Sequence, residues 1–293
     1  MESIPELRKI CQTAFKKERA DFLRSNLYGH FVRLWSIYIT RLVLPAGVSA
    51  NQVTLMMIVT GVTATGFFCL PSRGTFLLGA LLMQLWYTLD GVDGEVARYR
   101  HYQKTGALVM DKRDGGLTGM YFDMINHYII NLLLPLTAAF GLFWKTGSSV
   151  WMLIGILASL GQVLMLAVYD ARCRTQLTHI KRFAWAEIIK ETEKVPSEKK
   201  EKGRNPLRVA LAILHNTLTY PAVMNLTGLS ALLNFIFPAV EWRVYLLLYL
   251  SFGSAIVTGT FVARAILQKT NEEEIRASFR LSDEVKAERP AEV

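Results

Sequence analysis

The chain reads TFLLGALLMQLWYTLDGVDGEVAR over residues 75–98, an apolar run that is long enough to cross a bilayer and ends in carboxylates. Asp90 and Asp93 are three residues apart, so they share one face of a helix. A carboxylate at membrane depth is costly and usually faces a protein interior or a water-filled cavity. The alternative is a helix end that extends its charges into water, but such an end needs no paired glycines. Gly91 and Gly94 leave room beside the acids. The pattern predicts a site for a divalent cation that also holds phosphate oxygens.

Hydropathy predicts an all-α, polytopic membrane protein. Hydrophobic residues make up 52% of the 293-residue chain, and its apolar runs are long enough to span a bilayer. The predicted spans lie near 52–71, 75–98, 117–143, 149–170, 207–237 and 243–267. Pro221 within the fifth predicts a kink or a tilt there. The first thirty residues lack the apolar core of a cleavable signal peptide.

The remaining segments are predicted to flank this bundle. Residues 1–50 mix apolar and basic side chains, which is typical of an amphipathic helix lying in the membrane interface. A cap packed on the cytoplasmic helix ends is the alternative for this arm. The spans form a six-helix domain over 51–268, which contains a cytoplasmic loop at 171–206, and a charged cytoplasmic tail follows at 269–293.

The basic residues indicate the topology. Most of them lie in the N-terminal arm, in the 98–117 and 171–206 segments and in the tail, whereas the opposite loops carry only Arg73, Lys145 and Arg243. The positive-inside rule places both termini and the acidic motif on the cytoplasmic side. The net charge of +9 then favours anionic membrane lipids as partners, and no motif that reads nucleic-acid bases accompanies it. Cys11, Cys69 and Cys173 lack metal-type spacing, so neither zinc nor a disulfide is expected.

The acidic motif resembles the signature of the CDP-alcohol phosphotransferase (CDP-alcohol phosphatidyltransferase) family, D-x2-D-G-x2-A-R followed after eight residues by G-x3-D-x3-D. The first half matches at Asp90, Asp93, Gly94, Ala97 and Arg98. The second half is similar to Gly119, Asp123 and His127, with a longer spacing and with histidine at the last acidic position. Asn51 and Thr54 resemble the Asn-x-x-Thr that begins the first span of the family.

The resemblance implies an integral-membrane transferase that moves a substituted phosphate group from a CDP-alcohol, such as CDP-diacylglycerol, to an acceptor hydroxyl and releases CMP. It implies that Asp90, Asp93 and Asp123 ligate one or two Mg²⁺ or Mn²⁺ ions. The nucleotide is then expected along Gly91, Gly94 and Ala97, with Asn51 and Thr54 nearby and Arg98 ordering the carboxylates. By the same resemblance the protein acts in phospholipid biosynthesis as a homodimer, in the cell inner membrane.

His127 stands where the family has its general base. Asp123 and His127 are four residues apart and share a helical face with Gly119, one turn earlier. An imidazole ordinarily titrates near neutral pH and is able to accept the proton of a hydroxyl. A single histidine in a span is also often a hydrogen-bonded core residue, which is the structural alternative here.

Two further choices stay open at this point. Strict family spacing from Arg98 leads instead to Asp111, Asp114 and Gly115, a polar and glycine-rich stretch that we predict to be a cytoplasmic loop. Arg172 and Arg174 are candidates for binding a phosphate on the acceptor, or are ordinary cytoplasmic flanking charges.

Other functions compete with a lipid-forming transferase. The donor is alternatively a soluble CDP-polyol used on a glycan or lipid acceptor, or the chain is a noncatalytic membrane protein that retains the nucleotide pocket. A transporter is a third class, but transporters often have repeated halves with broken helices, and the sequence has no internal repeat. Release of CMP from a CDP-alcohol would separate the enzyme from the other two.

Overall fold

The structure is a computed structural model that describes residues 2–12, 27–108, 117–183, 186–188, 206–219, 222–267 and 279–281. Within these residues the chain forms nine helices and one small β ladder. The helices are α1 Ile4–Gln12, α2 Leu27–Val43, α3 Ala50–Phe68, α4 Arg73–Thr105, α5 Leu117–Thr146, α6 Val150–Phe183, α7 Pro206–Leu218, α8 Ala222–Ile236 and α9 Trp242–Leu267. Strands β1 Ala186–Ile188 and β2 Phe279–Leu281 pair antiparallel, with Ala186 opposite Leu281. The predicted helical class is therefore confirmed, apart from this ladder.

Four of the described helices, α4, α5, α6 and α9, are long and apolar enough to cross a membrane. Helix α3 is not among them, because Asn51, Gln52 and several threonines reduce its mean hydropathy. Helices α7 and α8 are apolar but short, and each extends only about 20 Å at 1.5 Å per residue. These findings indicate a membrane protein, and the count of six spans stays a prediction.

Two predicted segments differ in their helical extent from the observed helices. The run 207–237 was expected to be one kinked helix, but α7 ends at Leu218 and α8 begins at Ala222. The interruption includes Pro221, outside the described residues, and a proline lacks the amide N–H that would continue the hydrogen bonds of α7. The first part of the predicted cytoplasmic loop at 171–206 is helical, because α6 continues to Phe183. The sequence of α6 has neither glycine nor proline after Gly161, so nothing in it ends the helix earlier.

The core lies where α3, α4 and α5 meet. Helix α3 packs along α4 and α5, while α6 packs against α5 and α9. A Cβ atom added at Gly61 would lie 2.6 Å from both Ile130 and the fully buried Trp86. A glycine is therefore required here for α3 to approach its two neighbours, as small residues permit in membrane helix pairs. This close packing lies one turn before Asp90 on α4.

An ionic cluster fixes the opposite end of the bundle. The fully buried Arg243 places its guanidinium 4.3 Å from the centre of the Phe76 ring, and its Nε lies 3.4 Å from Oε1 of Glu241. Lys145 also pairs with Glu241, and Nδ2 of Asn234 donates to Glu241 at 2.6 Å. Burial raises the pKa of Glu241, but these hydrogen bonds and the charges of Arg243 and Lys145 outweigh it and hold the pKa below its usual value.

The described N-terminal arm packs against the bundle. Helix α1 buries Leu7, Ile10 and Cys11, and the hydroxyl of Tyr99 on α4 donates to Glu2 at 2.8 Å. This is the arrangement of a cap on the helix ends. Burial, followed by the charge of Glu95, raises the pKa of Cys11 to about 12, so its thiol is protonated at neutral pH.

Helix α2 has two distinct faces. Ser36, Ile37 and Thr40 are buried, whereas Trp35 is 60% exposed and Leu42 is 76% exposed. An exposed aromatic and aliphatic face is typical of a helix in the membrane interface. The interfacial position of the arm therefore stays a prediction that rests on α2.

Candidate metal and nucleotide site

The candidate site is formed where the middle of α4 meets the first half of α5. Asp90 comes from α4, and Asp123 and His127 come from α5. Nε2 of His127 lies 3.4 Å from Oδ1 of Asp123 and 3.9 Å from Oδ1 of Asp90. One potential ligand atom from each of the three residues lies within 4.8 Å of the others. The structure thus brings together three of the residues singled out in the sequence.

This donor set fits a divalent cation. Two carboxylate oxygens this close repel each other, and a cation between them would remove that repulsion. Oδ1 of Asp123 is buried and receives no hydrogen bond within the part of the chain that the structure describes. The side chains are still reachable from outside, since the exposed fractions are 23% for His127, 30% for Asp90 and 38% for Asp123.

Asp93 is bound to α3. Oγ1 of Thr54 donates to Oδ2 of Asp93 at 3.0 Å, and Asp93 is not a member of the compact three-residue group. At the start of α3, Oδ1 of Asn51 lies 3.6 Å from the position of a Cβ added at Gly119 on α5. The Asn-x-x-Thr segment therefore contacts both halves of the acidic motif. Three stretches that are far apart in sequence meet at one site.

The motif glycines have different surroundings. A Cβ added at Gly91 would lie 3.5 Å from Ser36, so this position packs against α2. At Gly94 the nearest atoms to an added Cβ belong to the guanidinium of Arg98, at 3.1 Å. Ala97 is half-buried on the same helix. Nucleotide binding by these residues stays a prediction. The closeness of Ser36 gives Gly91 a packing role as well.

Arg98 is bound by the N-terminal arm. Its Nε donates to the backbone oxygen of Cys11 at 2.5 Å, at the C-terminal end of α1, where a cation also interacts favourably with the helix dipole. This bond joins the motif helix to α1. The role of Arg98 in ordering the carboxylates of the motif stays a prediction.

Sequence reasoning missed Glu95, which is buried on α4 between the two arm helices. Its carboxylate accepts hydrogen bonds from Gln12 at 2.7 Å, from Ser36 at 2.7 Å and from Thr40 at 2.5 Å. Glu95 is five residues after Asp90 and so lies on a different face of the helix. The sequence feature that could have pointed to Glu95 is an acidic residue between Gly94 and two apolar neighbours. A charge in such a segment needs hydrogen-bond partners when it is buried.

Trp86, also missed, supports the imidazole. Its ring stands edge-on to His127, with ring centroids 5.6 Å apart and an interplanar angle of 89°. Nε1 of Trp86 donates to Oδ1 of the buried Asn126 at 3.2 Å. Because Trp86 is one turn before Asp90, the same face of α4 both holds a carboxylate and orients the histidine.

The two candidate acceptor arginines lie on α6. The hydroxyl of Tyr128, next to His127, donates to Asp170 at 2.6 Å and places α6 beside the site. Arg174 is exposed one turn beyond Asp170, and Arg172 is half-buried between them. The residues of the alternative register, Asp111, Asp114 and Gly115, lie outside the described residues.

No known protein-family model matches the chain, and no curated protein matches it.

Proposed function

We propose that this protein is an integral-membrane CDP-alcohol phosphotransferase that moves a substituted phosphate group to an acceptor hydroxyl and releases CMP. The observation that supports it most is the approach of Asp90 on α4 to His127 on α5, 3.9 Å from Oδ1 to Nε2, with a ligand atom of Asp123 within 4.8 Å of both. An acidic pair and an imidazole at the cytoplasmic part of a bundle suit transfer of a phosphate group from a charged nucleotide. CDP-diacylglycerol is the donor we favour, and a soluble CDP-polyol is the alternative.

The carboxylates of Asp90, Asp93 and Asp123 would hold one or two Mg²⁺ or Mn²⁺ ions. A bound cation of this kind neutralises charge on the donor's pyrophosphate and fixes its orientation. Thr54 keeps one oxygen of Asp93 in place and so orients the carboxylate. The small residues Gly94 and Ala97 would then border the nucleotide.

His127 would act as the general base. Its imidazole takes the proton of the acceptor hydroxyl, and the oxygen forms a bond to the phosphorus that carries the donor alcohol. The bond from that phosphorus to the oxygen of the CMP group breaks, and CMP leaves. Asp123, at 3.4 Å, and the edge of Trp86 would hold the ring in orientation. Arg172 and Arg174 are the groups we propose for an acceptor phosphate.

The length of α4 supports a site at the cytoplasmic face of the membrane. Its 33 residues extend about 50 Å, well beyond the ~30 Å hydrocarbon core of a bilayer. With its start on the outer side, as the basic residues predict, Asp90 lies about 26 Å along the helix, near the cytoplasmic boundary. Helix α3 and the α7–α8 pair would complete the six crossings, and the exposed face of α2 would lie in the interface.

Measurement of CMP release tests the function. Purified full-length protein in detergent is incubated with CDP-diacylglycerol or soluble CDP-alcohols, a panel of hydroxyl acceptors, and Mg²⁺ or Mn²⁺. We expect CMP release that requires both a cation and an acceptor, and its loss in Asp123→Asn. If no donor in the panel yields CMP with either cation, while the folded protein still binds CDP, the noncatalytic alternative is correct.

A further inference from the structure

A second cavity lies away from the carboxylate site, between α7 and α9. It has a volume of about 310 Å³, and its walls include Leu211, Val257 and Phe261, with His215, Thr260 and Arg264 as the polar groups. The candidate catalytic residues lie on α3, α4 and α5, so none of them borders this cavity. We propose that it binds an anionic phospholipid, with the lipid phosphate at Arg264.

The cavity lies beyond a close contact between the two helices. They pack closely near Leu218, which would lie 3.0 Å from a Cβ added at Gly253, and Thr217 contacts the hydroxyl of Tyr249. Further along, the rings of His215 and Phe261 are 5.2 Å apart, beyond which lie Leu211 and Arg264. The cavity therefore lies between the close contact at Leu218 and the C-terminal end of α9.

The cavity combines apolar side chains with the cationic Arg264. Val257 is buried, whereas Arg264 is exposed on the last turn of α9. An apolar chain would lie along Val257, Leu211 and Phe261. The guanidinium of Arg264 would donate to the phosphate, and the ring of His215 and the hydroxyl of Thr260 offer further hydrogen bonds.

The position of α9 favours a lipid over a soluble anion. It is one of the helices that are long and apolar enough to span a membrane, and its outer residues Phe252 and Ile256 are exposed. An arginine near the end of such a helix lies at the level of the phospholipid phosphates. The volume is at the lower end of the range of about 300–1,000 Å³ for ligand sites, so it would hold the head of a lipid and the first part of one chain.

Lipid binding to the full-length protein tests this proposal. The protein in dodecyl maltoside is titrated with dioleoyl phosphatidylglycerol, with dioleoyl phosphatidylcholine, or with inorganic phosphate. Native mass spectrometry counts the bound lipid, and the midpoint of thermal unfolding is measured in parallel. We expect saturable binding of phosphatidylglycerol that raises the midpoint, and no comparable effect of phosphatidylcholine or phosphate. Equal binding of both lipids would reject the anionic site, and an equal response to free phosphate would reject the lipid.

Two variants connect this binding to the cavity. Arg264→Gln should weaken binding of phosphatidylglycerol about tenfold or more, on the scale of one charge-assisted contact. Ala212→Trp should block the cavity from its wall without removing a charge, so it tests the site even if Arg264→Gln does not fold. Lys104→Gln, which changes an exposed basic residue at the end of α4, is the matched control. Unchanged binding in Ala212→Trp or in folded Arg264→Gln would overturn the proposal.

Discussion

His127→Ala separates the possible roles of the histidine. Nε2 of His127 lies 3.4 Å from Asp123 and 3.9 Å from Asp90, so the ring is close enough either to ligate a cation or to reach a hydroxyl bound beside it. Loss of a general base reduces the rate by about 10²–10⁴-fold, or about 2.7–5.5 kcal/mol in the barrier. The three aspartates would remain, so metal affinity should change little if the base assignment is correct.

The assay combines turnover with metal binding. CMP release gives kcat and KM at several pH values, and calorimetric titration of Mn²⁺ in the presence of a CDP-alcohol gives the affinity. In the wild type, kcat/KM should fall at acidic pH, since a protonated imidazole cannot accept a proton. In His127→Ala the rate should be at least about a hundredfold lower, and this acidic fall should disappear.

Two results would contradict the base assignment in different ways. A parallel loss of Mn²⁺ affinity and rate would make His127 a metal ligand, consistent with its place in the compact group with Asp90 and Asp123. A rate near that of the wild type would make it a structural residue. His101→Ala is the matched control, because it changes a histidine on the last turns of α4. That variant should retain both rate and affinity.

Three further predictions concern the metal ligands, the topology and the ionic cluster. Asp90→Asn, Asp93→Asn and Asp123→Asn should each weaken Mn²⁺ binding and abolish most turnover, whereas Asp111→Asn and Asp114→Asn should be milder; the reverse ranking would favour the alternative register. Single cysteines at positions 105 and 198, in a background without the native three, should be labelled only from the cytoplasmic side and one at 146 only from outside, and the opposite pattern would invert the orientation. Because the folded-state pKa of Glu241 is lowered, its stabilising contribution should be present above its unfolded value of about 4.5 and disappear as pH falls through the folded value. Glu241→Gln should flatten that acidic part of a plot of thermal midpoint against pH, and an unchanged profile would contradict the role of the cluster.

Local periodicity predicted the faces of the helices but not their neighbours. The spacings of Asp90 with Asp93 and of Asp123 with His127 required only that each stretch be helical. The approach of α5 to α4 was expected from a family resemblance, and the structure brings Asp90, Asp123 and His127 together. The compact group excludes Asp93, which is bound to Thr54, and neither spacing nor resemblance predicted that difference.

The missed contacts connect segments that are far apart in sequence. Gln12 donates to Glu95 across 83 positions, and Arg98 donates to Cys11 across 87. No periodic pattern relates such pairs, so the partners of a buried charge cannot be read from its own helix. The helix break between Leu218 and Ala222 was missed for a different reason: a proline predicts an interruption, while tertiary packing decides whether the chain kinks or stops.

The two faces of α4 connect the N-terminal arm to the candidate site. One face carries Asp90 and Asp93, while Gly91 and Glu95 are directed to α2. Glu95 is buried and accepts hydrogen bonds from both arm helices, and an unpaired carboxylate there would be costly, so α1 and α2 remain fixed to this part of α4. If the exposed face of α2 lies in the membrane interface, the arm holds the motif helix at a constant depth. The aspartates would then lie at the boundary where a water-soluble nucleotide and a lipid headgroup meet, which is the position that the proposed transfer requires.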